Sequence, residues 1–194
     1  KASPGWTFWS NSGVRMSLSP PRLQGEHQLI NASVAIEAVT RLKIHLPIDA
    51  ASIRSGLLDA ERLGRFQVLS ARPMILLDVA HNEHGVHALL EQLASLDYQQ
   101  LHIVTGMVKD KDIQAVLQLL PKNAFYYFTQ SHIPRALPVH ELAAEAAVLG
   151  LNGHAFEDVN IALKDAIKNA NHNDLILVIG SIFLVAEVDR THFL

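Results

Sequence analysis

The sequence predicts an α/β fold in which a mostly parallel sheet lies between layers of helices. Short apolar runs at residues 74–80, 101–107, 125–129 and 175–179 have the length and composition of strands. Helical patterns separate these runs, which is the order expected of βαβ units. Because strands that are buried on both faces form continuous runs of Ile, Leu and Val, we expect helices on both sides of the sheet.

The remaining elements of this region follow from periodicity and turn residues. Residues 65–69 are predicted to pair antiparallel with the 74–80 strand through a turn at 70–73, as the one antiparallel edge strand. A weaker strand is predicted at 154–156, and a short helix after Ser181. The predicted longer helices cover residues 83–96, 111–120, 139–149 and 159–169.

The first 63 residues have a different pattern. Small strands are predicted at Trp6–Trp9 and Val14–Leu18, where alternating residues are interrupted by Gly and Pro. Apolar residues recur at helical spacing over residues 26–42 and predict a helix.

A second helix is predicted after Asp49, which is a plausible N-cap. Its apolar face would carry Ile53, Leu57 and Leu58, and Gly64 would mark its end. The two helices have no sheet of their own, so we place a boundary near residues 63–64 and expect residues 1–63 to be the end of a preceding domain.

The composition excludes several classes of protein. The chain has 194 residues, of which 49% are hydrophobic and 18% charged, with a formal net charge of -3, so neither disorder nor nucleic-acid binding is expected. It contains no cysteine, which excludes disulfides and thiolate metal sites and fits a cytoplasmic protein. The apolar runs are far shorter than the roughly 20 residues of a membrane-spanning helix, and we expect neither a membrane partner nor a signal peptide.

Polar residues follow the predicted strands where a parallel sheet binds ligands, at the carboxyl ends. Asp78 could accept hydrogen bonds from ribose hydroxyls or hold a cation, or it could instead brace a loop. His81 could hydrogen-bond a ligand carboxylate or stack on a base, and Asn82 is the expected N-cap of the next helix. Residues 105–110 and Gly180–Ser181 are the other polar strand ends.

Several patterns argue against a metal site or an independent nucleotide site. His81, His84 and His87 are spaced by three residues, which spreads the rings over a wide arc of a helix, so no metal site is predicted. Residues 109–112 are expected to form a solvated turn and helix start. The chain contains neither G-x-x-x-x-G-K-[ST] nor G-x-G-x-x-G, which disfavours an independent NTPase or a dinucleotide oxidoreductase.

Taken together, several segments resemble the folylpolyglutamate synthase and dihydrofolate synthase family, which belongs with the Mur ligases among ADP-forming amide ligases. Each segment is a weak signal alone, but their order and spacing are specific. The resemblance rests on Gly25–Ala32, Gly64–Gln67, Leu77–Asn82, Gly106 with Asp110–Asp112, and Gly180–Ser181 followed by Val185–Val188.

The resemblance implies that residues 1–63 are the C-terminal end of a central ATPase domain and that residues 64–194 are a Rossmann-like C-terminal domain. ATP and Mg²⁺ are the implied cofactors. The phosphate loop, the metal ligands and the carbamylated lysine of the family have no matching positions here, so they are expected in an N-terminal part of the same protein. The chain alone is therefore expected to be inactive, and no catalytic or metal-binding residue is assigned within it.

The resemblance also implies roles for individual residues. Asn31 would lie near the adenine, Arg65 would reach the ATP phosphates, and Asp78 would bind the nucleotide from the C-terminal side. His81 and Ser181 would hold the incoming glutamate. The family phosphorylates a folate or pteroate carboxylate with ATP, and the glutamate amine then attacks the acyl phosphate. An alternative role for Arg65 is a hinge ion pair.

The sequence is also compatible with two other functions. One is a Mur-type ligase acting on a peptidoglycan precursor. Another is a noncatalytic nucleotide-binding or protein-interaction module, which would explain the absence of a phosphate loop from this sequence. The sequence does not distinguish dihydrofolate synthesis from polyglutamate extension.

Overall fold

The computed structural model describes residues 5–9, 15–19, 26–43, 45–60, 63–109, 112–191 and 193. The chain divides into two compact units, residues 1–63 and residues 64–194. Each unit has its own core and is described separately below.

The first unit contains a two-stranded antiparallel sheet and two helices. The strands are β1 (Trp6–Trp9) and β2 (Arg15–Leu18), and the helices are α1 (Glu26–Leu42) and α2 (Ala50–Asp59). Their apolar side chains form a small core: Phe8, Met16, Leu18, Ile36 and Ile53.

The predicted second helix is confirmed at its start and wrong at its end. Asp49 is its N-cap and accepts a hydrogen bond from the Ser52 N–H at 2.7 Å. The helix ends at Asp59, with Ala60 as C-cap, rather than at Gly64. Leu58 is 46% exposed, so it does not belong to the apolar face that packs on the core.

The second unit is built on a six-stranded sheet with the strand order β3-β4-β8-β5-β6-β7. All neighbouring strands are parallel except the edge pair of β3 and β4, as predicted. The strands are β3 (Gln67–Ala71), β4 (Met74–Asp78), β5 (Leu101–Gly106), β6 (Phe125–Phe128), β7 (Gly153–Ala155) and β8 (Leu175–Gly180).

Helices cover both faces of this sheet and complete the predicted three layers. One face packs against α3 (Glu83–Leu93), α4 (Ile113–Leu119) and α5 (Val139–Val148). The other face packs against α6 (Val159–Asn169) and α7 (Ile182–Ala186). The central strand β8 is buried along its whole length, which explains its continuous apolar sequence.

The predicted elements exist, but several ends differ. Strand β4 stops at Asp78 rather than Ala80, because the Val79 N–H donates to the Gly64 carbonyl oxygen at 2.8 Å and leaves the ladder. Helix α3 ends at Leu93 rather than 96. Helix α4 begins after Asp112, which caps it, and residues 110–111 lie outside the described part of the chain.

Among the described helices, none is long and apolar enough to cross a membrane.

Candidate functional site

The carboxyl ends of four strands meet at one edge of the large sheet. Asp78 at the end of β4 is paired with Ile179 of β8, and Thr105 of β5 is paired with the same residue from the other side. Phe128 at the end of β6 is paired with Thr105. The loops that follow these strands therefore surround one concave edge, which is where parallel sheets bind ligands.

Gly180 allows β8 and β5 to end side by side. Its φ is +144°, a conformation that residues with a side chain rarely adopt, and a Cβ there would lie 2.1 Å from the Gly106 carbonyl oxygen. Only glycine fits this close approach, which sets the direction of the chain into Ser181.

Asp78 is a buried carboxylate that holds two backbone segments together. Its Oδ2 accepts a hydrogen bond from the Phe66 N–H, and its Oδ1 accepts one from the Ala80 N–H, both at 2.8 Å. The side chain is 7% exposed. Asp78 therefore braces the loop, which is one of the two roles predicted for it. It ties the turn before β3 to the end of β4.

The turn that carries Arg65 is fixed on both sides. The Gly64 N–H donates to Gln67 Oε1 at 2.9 Å, and the Gly64 carbonyl oxygen accepts from the Val79 N–H at 2.8 Å. The φ of Gly64 is +72°, and a Cβ there would lie 2.7 Å from Val79 Cγ1. Phe66 has a φ of +45°, so Arg65 lies in a turn rather than in the predicted strand. The half-buried Arg65 is thus anchored at the carboxyl edge of the sheet.

His81 is held in one tautomer by its own loop. Its Nδ1 lies 2.8 Å from the Val79 carbonyl oxygen, and because that oxygen can only accept, Nδ1 carries the proton. In the neutral ring Nε2 is then an acceptor. Asn82 is the N-cap of α3, as predicted, and its Oδ1 accepts from the Gly85 N–H at 2.8 Å.

Ser181 is the N-cap of α7 and is 5% exposed. Its Oγ accepts a hydrogen bond from the Leu184 N–H at 3.1 Å. Because a hydroxyl can donate one hydrogen bond while it accepts others, capping leaves Ser181 able to donate to a ligand.

Asn31 belongs to the first unit, whereas the residues just described belong to the second. It lies on an exposed face of α1, and its Nδ2 donates to Gln28 Oε1 at 3.1 Å.

The other polar residues singled out from the sequence have ordinary surface roles. His84 and His87 are exposed on α3, and Lys109 is exposed after β5. Asp112 caps α4 through the Ala115 N–H at 3.1 Å. Within the described ranges, no three or more His, Asp or Glu side chains are grouped closely enough to hold a metal ion.

The structure adds a fourth strand end that the sequence analysis missed. His132, in the loop after β6, contacts Glu187 just after α7: the His132 N–H donates to Oε1 and Nδ1 lies 2.8 Å from Oε2. This hydrogen bond, together with the carboxylate charge, raises the pKa of His132 above its ordinary value. Nearby, the Arg135 guanidinium carbon lies 4.8 Å from the centre of the Phe183 ring.

This loop could have been predicted from the sequence, since β6 was predicted and polar residues follow it. The pairing with Glu187 has no sequence signal, because the partners come from distant segments that only the sheet brings together.

The family model for the Mur ligase glutamate ligase domain matches residues 64–182. The chain belongs to the Mur ligase family. The matched region begins at the glycine of the Arg65 turn and ends just after Ser181, so it includes the four strand ends described above but not Phe183 or Glu187.

Among proteins of the Mur ligase family, the chain is similar to enzymes of folate metabolism. It is 39% identical over 176 residues to a probable bifunctional folylpolyglutamate synthase/dihydropteroate synthase of Halobacterium salinarum, covering 85% of this chain and 20% of that protein. It is 31% identical over 185 residues to the dihydrofolate synthase/folylpolyglutamate synthase of Escherichia coli, covering 94% of this chain and 42% of that protein.

The solved structure of E. coli FolC in complex with DHPP and ADP superposes with a TM-score of 0.79 at 30% identity, covering 93% of this chain and 42% of that chain. The chain thus spans less than half the length of these Mur ligase relatives.

Proposed function

We propose that this chain is part of an ATP-dependent, ADP-forming ligase that adds L-glutamate to folate or dihydropteroate through an acyl phosphate. Residues 64–194 would be its Rossmann-like glutamate ligase domain, and residues 1–63 the end of its central ATPase domain. The observation that carries the proposal is the Arg65 turn, tied to Asp78 at the carboxyl edge of the sheet inside the matched region.

Arg65 is the residue we assign to the ATP phosphates. Its guanidinium is always charged and can hydrogen-bond phosphate oxygens. A cation placed where phosphoryl charge develops strongly stabilises the transition state. Asp78 supports ATP binding by fixing the Arg65 turn through the Phe66 N–H. Asn31 is assigned to the adenine.

A divalent cation, Mg²⁺ in our proposal, would neutralise the phosphates during transfer. Both Asp78 oxygens already accept backbone N–H groups, which makes Asp78 a poor metal ligand. The metal ligands and phosphate loop are therefore assigned to the rest of the protein. A related structure supports a nucleotide and a divalent cation: the bifunctional folylpolyglutamate synthase/dihydrofolate synthase with Mn, AMPPNP and L-glutamate bound has a TM-score of 0.76 and 32% identity, covering 89% of this chain and 41% of that chain.

His81 and Ser181 are assigned to glutamate. With Nδ1 donating to the Val79 carbonyl, His81 Nε2 can accept a hydrogen bond from the glutamate amine. The Ser181 hydroxyl, which already accepts from Leu184, can donate to a carboxylate oxygen. Both groups follow neighbouring strands, β4 and β8, at the same edge.

A chimera tests this function directly. The matching section of the E. coli enzyme is replaced by this chain, and ADP and product formation are measured with dihydropteroate, ATP and glutamate. The chimera should be active, and Arg65→Met should lower kcat/KM for ATP by about 100-fold or more. His81→Ala should raise the KM for glutamate, while His84→Ala, which changes an exposed residue in the first turn of the following helix α3, should not.

Two results would contradict the proposal. One is a chimera that uses a muramyl-peptide substrate in place of dihydropteroate, which would favour a peptidoglycan ligase. The other is an active chimera whose ATP kinetics are unchanged by Arg65→Met. The isolated chain, which contains no G-x-x-x-x-G-K-[ST], should show no ATP turnover.

A further inference from the structure

The opposite edge of the large sheet contains a cavity that the proposed ligase site does not use. It has a volume of about 570 Å³ and lies over the first residues of β5 and β6, beside the edge strand β7 and the last residue of α6. His102, near the start of β5, is about 13 Å along the strand from Gly106. A volume of this size is within the range of small-molecule sites.

A buried polar network forms the floor of this cavity. His102 is 1% exposed and Tyr127 is 4% exposed. His102 Nδ1 lies 3.1 Å from Tyr127 Oη, and Nε2 lies 3.5 Å from Asp174 Oδ2, within ion-pair range but longer than a good hydrogen bond. Burial lowers the pKa of His102, although Asp174 opposes this shift, so the ring is neutral near pH 7.

The network determines what Tyr127 can offer a ligand. A neutral imidazole that faces a carboxylate keeps its proton on Nε2, which leaves Nδ1 as an acceptor. The Tyr127 hydroxyl then donates to Nδ1, and its oxygen, which also interacts with the Asn169 side chain, keeps a lone pair that can accept a hydrogen bond. A ligand in the cavity would therefore meet a fixed acceptor.

The rest of the lining suits a flat, uncharged ring. The Phe125 ring is 56% exposed, and its centre lies 5.3 Å from that of His102. Asn152 adds a carboxamide that can donate and accept, and Asn169, whose Nδ2 donates to Asp165 Oδ2 at 3.1 Å, adds a carbonyl oxygen that can accept. None of the described residues that line the cavity is Lys, Arg, Asp or Glu, and its two histidines are His102, whose pKa is lowered by burial, and the exposed His154, so the lining holds no permanent cation.

We propose that this cavity binds a planar, neutral, amino-substituted nitrogen heterocycle of the size of a purine or pteridine. The ring stacks on Phe125, its amino group donates to Tyr127 Oη, and its heterocyclic edge pairs with the Asn152 and Asn169 carboxamides. The inference is independent of the proposed ligase function, since the site lies at the other edge of the sheet and its test needs no turnover.

The test is an NMR titration of the ¹⁵N-labelled 194-residue chain with adenine, and separately with pterin. At least one probe should shift the side-chain amides of Asn152 and Asn169 saturably, with a Kd of about 1 mM or tighter. A shift with adenine alone identifies a purine site, and one with pterin alone a pteridine site. Benzoate, which is planar but anionic and lacks the amino group, should produce no saturable shift at these amides.

Matched variants decide whether the cavity is responsible. Phe125→Leu should weaken binding at least about fivefold, because a stacking surface is lost. Phe183→Leu removes a ring at the carboxyl edge and should leave the affinity unchanged. The proposal is overturned if neither probe shifts the two amides, if benzoate binds equally well, or if Phe125→Leu binds like the unchanged chain while its other amide signals show an intact fold.

Discussion

Replacing Asp78 tests whether its carboxylate builds the Arg65 turn. Asp78→Ala removes the acceptor of the Phe66 and Ala80 N–H groups, each bonded at 2.8 Å. Hydrogen bonds to a charged group contribute about 1.5–3 kcal/mol each, so the free energy of unfolding should fall by about 3–6 kcal/mol. For a chain of this size that corresponds to a decrease in Tm of roughly 6–24 °C.

Asp78→Asn and Asp112→Ala provide the comparison. Asparagine keeps one carbonyl acceptor and loses the charge, so Asp78→Asn should cost about half as much as Asp78→Ala. Asp112 is an exposed cap that accepts one N–H, at 3.1 Å, and its replacement by alanine should cost about 1 kcal/mol.

Urea denaturation of the four proteins, followed by circular dichroism, gives the ranking. If Asp78→Ala is no more destabilising than Asp112→Ala, the carboxylate does not hold the turn, and a role for Asp78 through Arg65 must be abandoned. In the chimera, Asp78→Asn should raise the KM for ATP in a protein that is still folded, because the Arg65 turn is held less firmly.

Two further predictions follow from the same edge of the sheet. Gly180→Ala should cost about 3 kcal/mol or more, because the new Cβ would meet the Gly106 carbonyl oxygen in a conformation reserved for glycine. Gly56→Ala on a helix, where nothing lies within 4 Å of the new Cβ, should not destabilise, and equal losses in urea denaturation would refute the steric argument. Contact with Glu187 raises the pKa of His132 above 6.5, so the pair stabilises the fold below about pH 6.5 and loses this effect as the pH rises through the folded pKa. His132→Gln should therefore destabilise at about pH 5.5 and have little effect at about pH 9, and a loss that is the same at both would argue against the ion pair.

The layers of the fold could be predicted from the sequence, because a strand that is buried on both faces is apolar at every position. Strand β8 is apolar throughout and lies in the middle of the sheet, and α6 was predicted with its correct ends. The strand order was not predicted, because pairing between distant strands leaves no local pattern.

Element ends were less predictable for a similar reason. The apolar run after Met74 continues to Ala80, but the strand stops when the Val79 N–H turns to the Gly64 carbonyl oxygen. The run after Arg65 looked like one strand, but Phe66 takes a positive φ and separates Arg65 from β3. Hydrogen bonds between distant segments decided both positions.

Several residues of the candidate site also stabilise the fold, so a motif match at these positions does not separate a ligand role from a structural one. Asp78, Asn82 and Ser181 each accept a backbone N–H, so the fold alone is a sufficient reason for their identities. His81 differs from these three residues, because its Nδ1 contact fixes the ring but leaves Nε2 for a ligand. Arg65 also differs, because its turn is held by backbone contacts of Gly64 and Phe66 and not by the Arg65 side chain. A ligand role is therefore best tested at Arg65 and His81, where a substitution removes the least of the surrounding fold.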